Sequence, residues 1–250
     1  MSDFNRGYAR TVPADRADMS VDAGLRSYML GVYNKMALGL VVSAALAWVT
    51  GQFAPVQQLL YRLTPDGHLA GYTGLGTLVA YSPLAIMLVM LFGMRNPTVK
   101  GSGILYWATV SVFGAGLGAI TLLYTGASLA STFLITATAF GALSLFGYAT
   151  KRDLTGIGSF LMMGLIGLVV AMLVNVFWHP AGFNFIISVL GVLIFAGLTA
   201  YDTQRLKMTY YQIGGDQVRL GVATNFGALS LYLDFLNMFM FLLRLFGARR

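Results

Sequence analysis

The chain has 250 residues, 57 % of them apolar and 10 % charged, with a formal net charge of +7 and no cysteine, whereas a soluble domain carries roughly 25 % charged residues. So few charges cannot cover a globular surface, and with a mean hydropathy of +0.73 the composition describes a multispan membrane protein. The missing Cys excludes disulfides, thiolate metal sites and a Cys nucleophile. His68 and His179, with Asp66 as the nearby acid, do not make a zinc site, and the basic excess reads as the Lys/Arg bias that orients membrane loops, not as a nucleic-acid surface.

In chain order, the first 28 residues are polar, with Arg6, Arg10, Arg16 and Arg26 among four Asp. They read as a disordered cytoplasmic leader ahead of a transmembrane domain over 29–250, and the leader is too long for the n-region of a signal peptide. A span needs about 20 apolar residues, so stretches free of Lys, Arg, Asp and Glu locate the helices. Such stretches run over 36–61, 69–94, 101–150 and 154–201, and 220–243 is interrupted only by Asp234. Breaks near Thr125-Gly126-Ala127-Ser128 and at Trp178-His179-Pro180-Ala181-Gly182 divide the two long stretches. The fold class is therefore all-α, with seven predicted transmembrane helices at 30–51, 72–94, 103–124, 128–149, 156–178, 184–206 and 222–246. Pro83 should kink the second. Gly114-x-x-x-Gly118 in the third span, and Gly156, Gly158, Gly164 and Gly167 in the fifth, read as close helix contacts.

Basic residues set the orientation. Twelve of the 16 fall in the leader through Lys35 and in the loops after spans two, four and six, while the opposite loops carry Arg62. That asymmetry puts the N-terminus in the cytoplasm. Seven spans then place Arg244, Arg249 and Arg250 outside. Either the C-terminus departs from the rule, or one apolar segment is re-entrant.

Asp202 and Asp234 carry the chemistry. Asp234 lies near the middle of span seven, where a charge costs about 2.5–3.5 kcal/mol on insertion scales and normally faces the bundle interior. Gly227, Ser230 and Asn237 share its helical face as a small, polar stripe; Tyr232, Phe235, Phe239 and Leu243 lie opposite, suited to lipid or packing. Asp202 sits near the end of span six, with Thr199 one turn before and Arg205 one turn after, so an edge ion pair is the plain reading. If the helix runs on through Tyr210-Tyr211-Gln212 and turns at Gly214-Gly215-Asp216, Asp202 is 13 residues before Gly215 and Asp234 is 19 after it. At 1.5 Å per residue their depths differ by about 9 Å. Two carboxylates sharing a site cannot both ionise cheaply, so they would hold one proton between them and titrate as a unit. Without the proton they would repel or attract a hard cation such as Ca²⁺, with Thr199, Ser230, Asn237, carbonyls and water completing its ligands.

The run Ala228-Leu229-Ser230-Leu231-Tyr232-Leu233-Asp234-Phe235-Leu236-Asn237-Met238-Phe239, continued by Leu242-Leu243-Arg244-Leu245-Phe246-Gly247, resembles the C-terminal signature of the Bax inhibitor-1 (transmembrane Bax inhibitor motif) family, bacterial branch. Phe195-Ala196-Gly197-Leu198-Thr199-Ala200-Tyr201-Asp202-Thr203-Gln204 is similar to that family's sixth-span motif. The resemblance implies a multi-pass protein of the bacterial inner membrane whose last helix is surrounded by the other six. It further implies a pH-sensitive calcium leak with no enzymatic activity and no cofactor, Ca²⁺ being the transported ion. Its gate would be a proton-sharing aspartate pair matching Asp202 and Asp234, with Arg95 matching an arginine that latches one of them. Some relatives carry an acid within span two, where this chain has Tyr81-Ser82-Pro83-Leu84-Ala85. Certain bacterial relatives are instead linked to a membrane-bound ATP-dependent protease, which makes regulation of such a partner the second reading. An intramembrane aspartyl protease is a remote third: that chemistry needs Gly-x-Gly-Asp at its second acid, where this chain has Leu231-Tyr232-Leu233-Asp234. Retinal binding fails because span seven has no Lys for a Schiff base.

Overall fold

The computed structural model describes residues 23–82, 97–178 and 182–250. Residues 1–22 of the leader, Pro83 with the rest of span two, Arg95 and the break at His179-Pro180-Ala181 lie outside the described residues.

The chain is a helical membrane protein with six helices among the described residues that are long and apolar enough to span a bilayer. The first, α1, runs over Ala23–Gln52. It starts earlier than the leader reading allowed, because Leu25, Tyr28, Met29 and Val32 are buried in the main core and hold the helix there. Residues 23–28 therefore belong to the bundle. After α1 come a short helix α2 (Ala54–Leu60) and an antiparallel pair, β1 (Tyr61–Leu63) with β2 (Leu69–Tyr72). The sequence reading had no strands; Thr64-Pro65-Asp66-Gly67 makes the connection, with Gly67 at φ +80°. Residues 74–82 are helical (α3).

The third predicted span is two helices, α4 (Val99–Gly116) and α5 (Gly118–Leu123), parted at Leu117. α6 (Gly126–Ala149) begins where Thr125 caps it, the hydroxyl accepting from the Ser128 N–H at 3.3 Å. α7 (Thr155–Trp178) is followed by α8 (Phe183–Ile213), which runs seven residues beyond its predicted end at 206, and then α9 (Gln217–Phe246). Gly214 and Gly215, at φ +66° and +90°, make the sharp α8–α9 turn that side chains resist. Asp216 then caps α9, accepting from the N–H groups of Val218 at 3.0 Å and Arg219 at 3.1 Å.

The last helix is the axis of the bundle. α9 packs against α8, α1, α4 and α6. In its most apolar stretch 72 % of residues are buried, against 11 % for α7, which leans on α8 at the periphery. Tyr232, Phe235, Phe239 and Leu243, assigned to lipid or packing, all pack inside. Lipid offers no hydrophobic drive between helices, so small residues set the contacts. A Cβ on Gly114 would lie 2.6 Å from the Ser43 Cα, and one on Gly118 would lie 3.0 Å from the Thr50 Cβ, both on α1. The Gly-x-x-x-Gly pair is thus the seam with α1. Gly158 receives the Tyr201 ring, while Gly156 and Gly167 have nothing within 4 Å.

The helices share two ends. At one, the start of α1 meets the end of α8, with the Tyr28 and Tyr210 rings 5.7 Å apart. The start of α4 is held there by Asn225, whose Nδ2 donates to the Val99 carbonyl at 3.0 Å. Gln204 ties in the α6–α7 connection by donating to the Arg152 carbonyl and accepting from the Leu154 N–H, both at 2.8 Å. At the other end, Gln52 of α1 donates to Thr121 of α5 at 3.3 Å, and the tail after α9 bonds the α5–α6 junction.

Candidate functional site

Asp202 is presented inward by helical spacing. Phe195, Leu198, Thr199, Asp202, Thr203 and Leu206 recur at three- and four-residue intervals and are all buried. One carboxylate oxygen lies 3.4 Å from Nη2 of Arg205, the edge pair expected from sequence, and that guanidinium is half exposed. The other oxygen accepts a short hydrogen bond from the Ser230 hydroxyl on α9. Ser230 Oγ is also 3.4 Å from Arg205 Nη2. Asp202, Arg205 and Ser230 thus form a triangle across the α8–α9 contact.

Asp234 follows Ser230 by one turn, about 5–6 Å along α9. It is 5 % exposed, and its Oδ2 has no hydrogen-bond partner among the described residues. The two acids therefore sit on neighbouring helices, and the Ser230 hydroxyl ties Asp202 to the helix that carries Asp234. The other two supporting polar residues are used differently: Thr199 donates to the Phe195 carbonyl at 2.7 Å and Asn237 to the Leu233 carbonyl at 2.8 Å, each within its own helix. Arg95 lies outside the described residues.

Among the described residues no three His, Cys, Asp or Glu side chains converge as a metal cage. A hard cation at the aspartates would draw its remaining ligands from hydroxyls, carbonyls and water.

Three polar contacts escaped the sequence reading. Lys35 of α1, taken as a boundary charge, donates to the Asn225 amide oxygen on α9, and the Asn225 nitrogen donates to Ser102 of α4 at 2.8 Å. The Tyr232 hydroxyl is 2.7 Å from Ser43 Oγ, whose own hydroxyl is 3.0 Å from the Val110 carbonyl. Thr203 reaches Ser144 on α6 and Tyr33 on α1, both at 3.4 Å. Asn225, an amide inside the last apolar stretch, was the available signal for the first; serines and tyrosines in apolar helices give none.

The family model described as inhibitor of apoptosis-promoting Bax1 matches residues 25–250. The chain is similar to a protein of Caulobacter vibrioides, 63 % identical over 250 residues and covering 100 % of both chains. It is similar to the inner membrane protein YbhL of Escherichia coli, 42 % identical over 229 residues, covering 91 % of this chain and 94 % of that one. A Rickettsia prowazekii protein is 40 % identical over 243 residues, covering 97 % and 98 %.

Proposed function

The chain belongs to the Bax inhibitor-1 family, and from that premise we propose that it is a pH-sensitive calcium leak gated by Asp202 and Asp234. The observation that carries the reading is a buried Asp234 one turn from the serine that binds Asp202. With a proton on the pair, only one carboxylate is charged, and the Ser230–Asp202 bond holds α8 to α9. When the proton leaves, two negative charges in a low-dielectric site repel each other and attract a divalent cation. Arg205 on α8 counters part of that charge, and Lys35 on α1 is engaged with Asn225 nearer the end of the bundle. Arg95 is assigned as the latch by its match to the family arginine. No catalytic step is assigned to either acid.

The same reading makes the chain a seven-span protein of the bacterial inner membrane, the compartment in the name of its Escherichia coli relative. Gln52 and Val99 sit at opposite ends of the bundle, which supports the reading of seven crossings. The twelve basic residues then gather at the cytoplasmic end with the N-terminus. The C-terminus emerges on the far side.

Calcium flux through purified protein in liposomes, at about pH 8 and pH 6, tests the gate. Wild type should change its flux with pH, and Asp234→Asn should abolish that change. Unaltered flux and pH response in the variant overturn the assignment. Absence of flux from folded wild-type protein at both pH values overturns the leak, leaving regulation of a membrane-bound ATP-dependent protease as the role to pursue.

A further inference from the structure

We propose that the far end of the bundle holds a binding site for the headgroup of an anionic phospholipid, gripped by Arg244 and Arg249. A cavity of about 650 Å³ opens there between α5, α7, α8 and α9. Both arginines line it, and no Asp or Glu does. The ion pairs among the described residues are Arg205–Asp202 and Arg219–Asp216, so neither cavity arginine has a carboxylate partner there.

Both arginines are exposed, and each guanidinium lies beside an aromatic ring. Arg249 is held by an isolated bridge between its main chain and that of Tyr124, and its guanidinium lies 6.0 Å from the centre of that tyrosine ring. The Arg244 guanidinium lies 5.5 Å from the Phe241 ring. Two planar guanidinium groups with no carboxylate partner among the described residues suit a phosphate, whose oxygens accept from both.

A second observation comes from α7. Asn175 lines the same cavity, and its Nδ2 donates to Asn184 at 2.8 Å. Its buried Oδ1 has no partner among the described residues. A buried acceptor left unpaired is costly, and a headgroup hydroxyl would satisfy it. The remaining wall includes Leu117, Ile120 and Met240, a surface for the glycerol backbone and the first acyl carbons. A small free anion would leave that wall uncovered. A zwitterionic headgroup would bring its own cation against two arginines. Phosphate, hydroxyl and apolar stem together describe a phosphatidylglycerol-type lipid. Such a ligand also neutralises the arginines that the positive-inside rule disfavours at this end.

The test uses the full chain, delipidated in detergent, with native mass spectrometry during titration by phosphatidylglycerol, by phosphatidylcholine, and by inorganic phosphate as competitor. One phosphatidylglycerol should be retained with about tenfold preference over phosphatidylcholine, as expected for charge-assisted bonds. Arg244→Gln with Arg249→Gln should bring the two lipids level, while Lys151→Gln with Arg152→Gln at the other end leaves the preference intact. Arg244→Lys with Arg249→Lys, which keeps both charges, should retain most of it, so a folding defect in the Gln pair is distinguishable. Equal retention of both lipids by wild type overturns the proposal, as does an unchanged preference in the Gln pair. Displacement of phosphatidylglycerol by equimolar phosphate would identify a free-anion site and overturn the lipid assignment.

Discussion

Ser230→Ala separates the hydrogen bond at Asp202 from its ion pair, and the geometry ranks the two. The Ser230 hydroxyl donates to a carboxylate that is almost fully buried. A charge-assisted bond is worth about 1.5–3 kcal/mol in soluble proteins, but interhelical bonds in membranes average about 0.6 and reach about 1.7 kcal/mol. The expected loss is therefore about 1 kcal/mol, roughly a fivefold change in the unfolding equilibrium. Arg205 pairs with the same carboxylate at 3.4 Å with a side chain 50 % exposed. Exposed pairs of that kind contribute about 0.5 kcal/mol or less. Reversible unfolding in mixed micelles, titrated with dodecyl sulfate, should show Ser230→Ala more destabilised than Arg205→Gln. A double-mutant cycle with Asp202→Asn should return a coupling near 1 kcal/mol. The reverse order, or a coupling under about 0.3 kcal/mol, refutes the view that Ser230 joins the two helices at this point.

Two further outcomes follow from local geometry. A Cβ at Gly147 would press on the Ala200 backbone, with its carbonyl carbon and Cα each 2.8 Å away; Gly147→Ala should force α6 from α8 and cost about 1–3 kcal/mol. Gly141→Ala, on the same helix with nothing within 4 Å, should be neutral or stabilising, and equal thermal shifts for the pair in detergent would refute the close-contact reading. At the start of α7, bonds from the Thr155 hydroxyl and N–H hold the Asp153 carboxyl below its ordinary value, the N–H at 2.8 Å. Because the folded form is the more acidic, this support is complete above the usual carboxylate range near pH ~4 and fades as pH falls through the folded value. Amide exchange over residues 155–158, corrected for chemical rate, should accelerate on acidification in wild type and not in Asp153→Ala; matching profiles would refute the cap.

The helices were legible because a membrane span leaves a long absence of charge, and absences are easy to measure. The α8–α9 turn was legible because two adjacent glycines precede a capping aspartate. The same depth arithmetic that left Asp234 about 9 Å from the level of Asp202 puts Ser230, 15 residues beyond Gly215, within about 3 Å of it. The bond therefore forms at Ser230, which the sequence reading placed on the Asp234 face as a supporting group and not as the direct partner of Asp202. Thr64-Pro65-Asp66-Gly67 carried a turn signature, but strands of three and four residues are too short to show alternation. Lys35 marked the edge of a charge-free stretch. Nothing in that stretch encodes its bond to Asn225, 190 residues away; tertiary packing alone creates it.

The tail beyond α9 has a mechanical meaning. Ala248 accepts from the Thr125 N–H at 3.1 Å and donates to the Ser128 hydroxyl at 3.0 Å, and the Arg250 N–H donates to the Leu123 carbonyl at 3.0 Å. Two residues of chain moor the far end of α9, while Asp216 and the glycine turn fix its start. Travel of even one helical turn, about 5.4 Å, would break all three bonds at once. The central helix is therefore an axle and not a piston. If the bundle opens as proposed, its outer helices would swing around that shaft, and among the described spans the lightly buried α7 gives up least in moving.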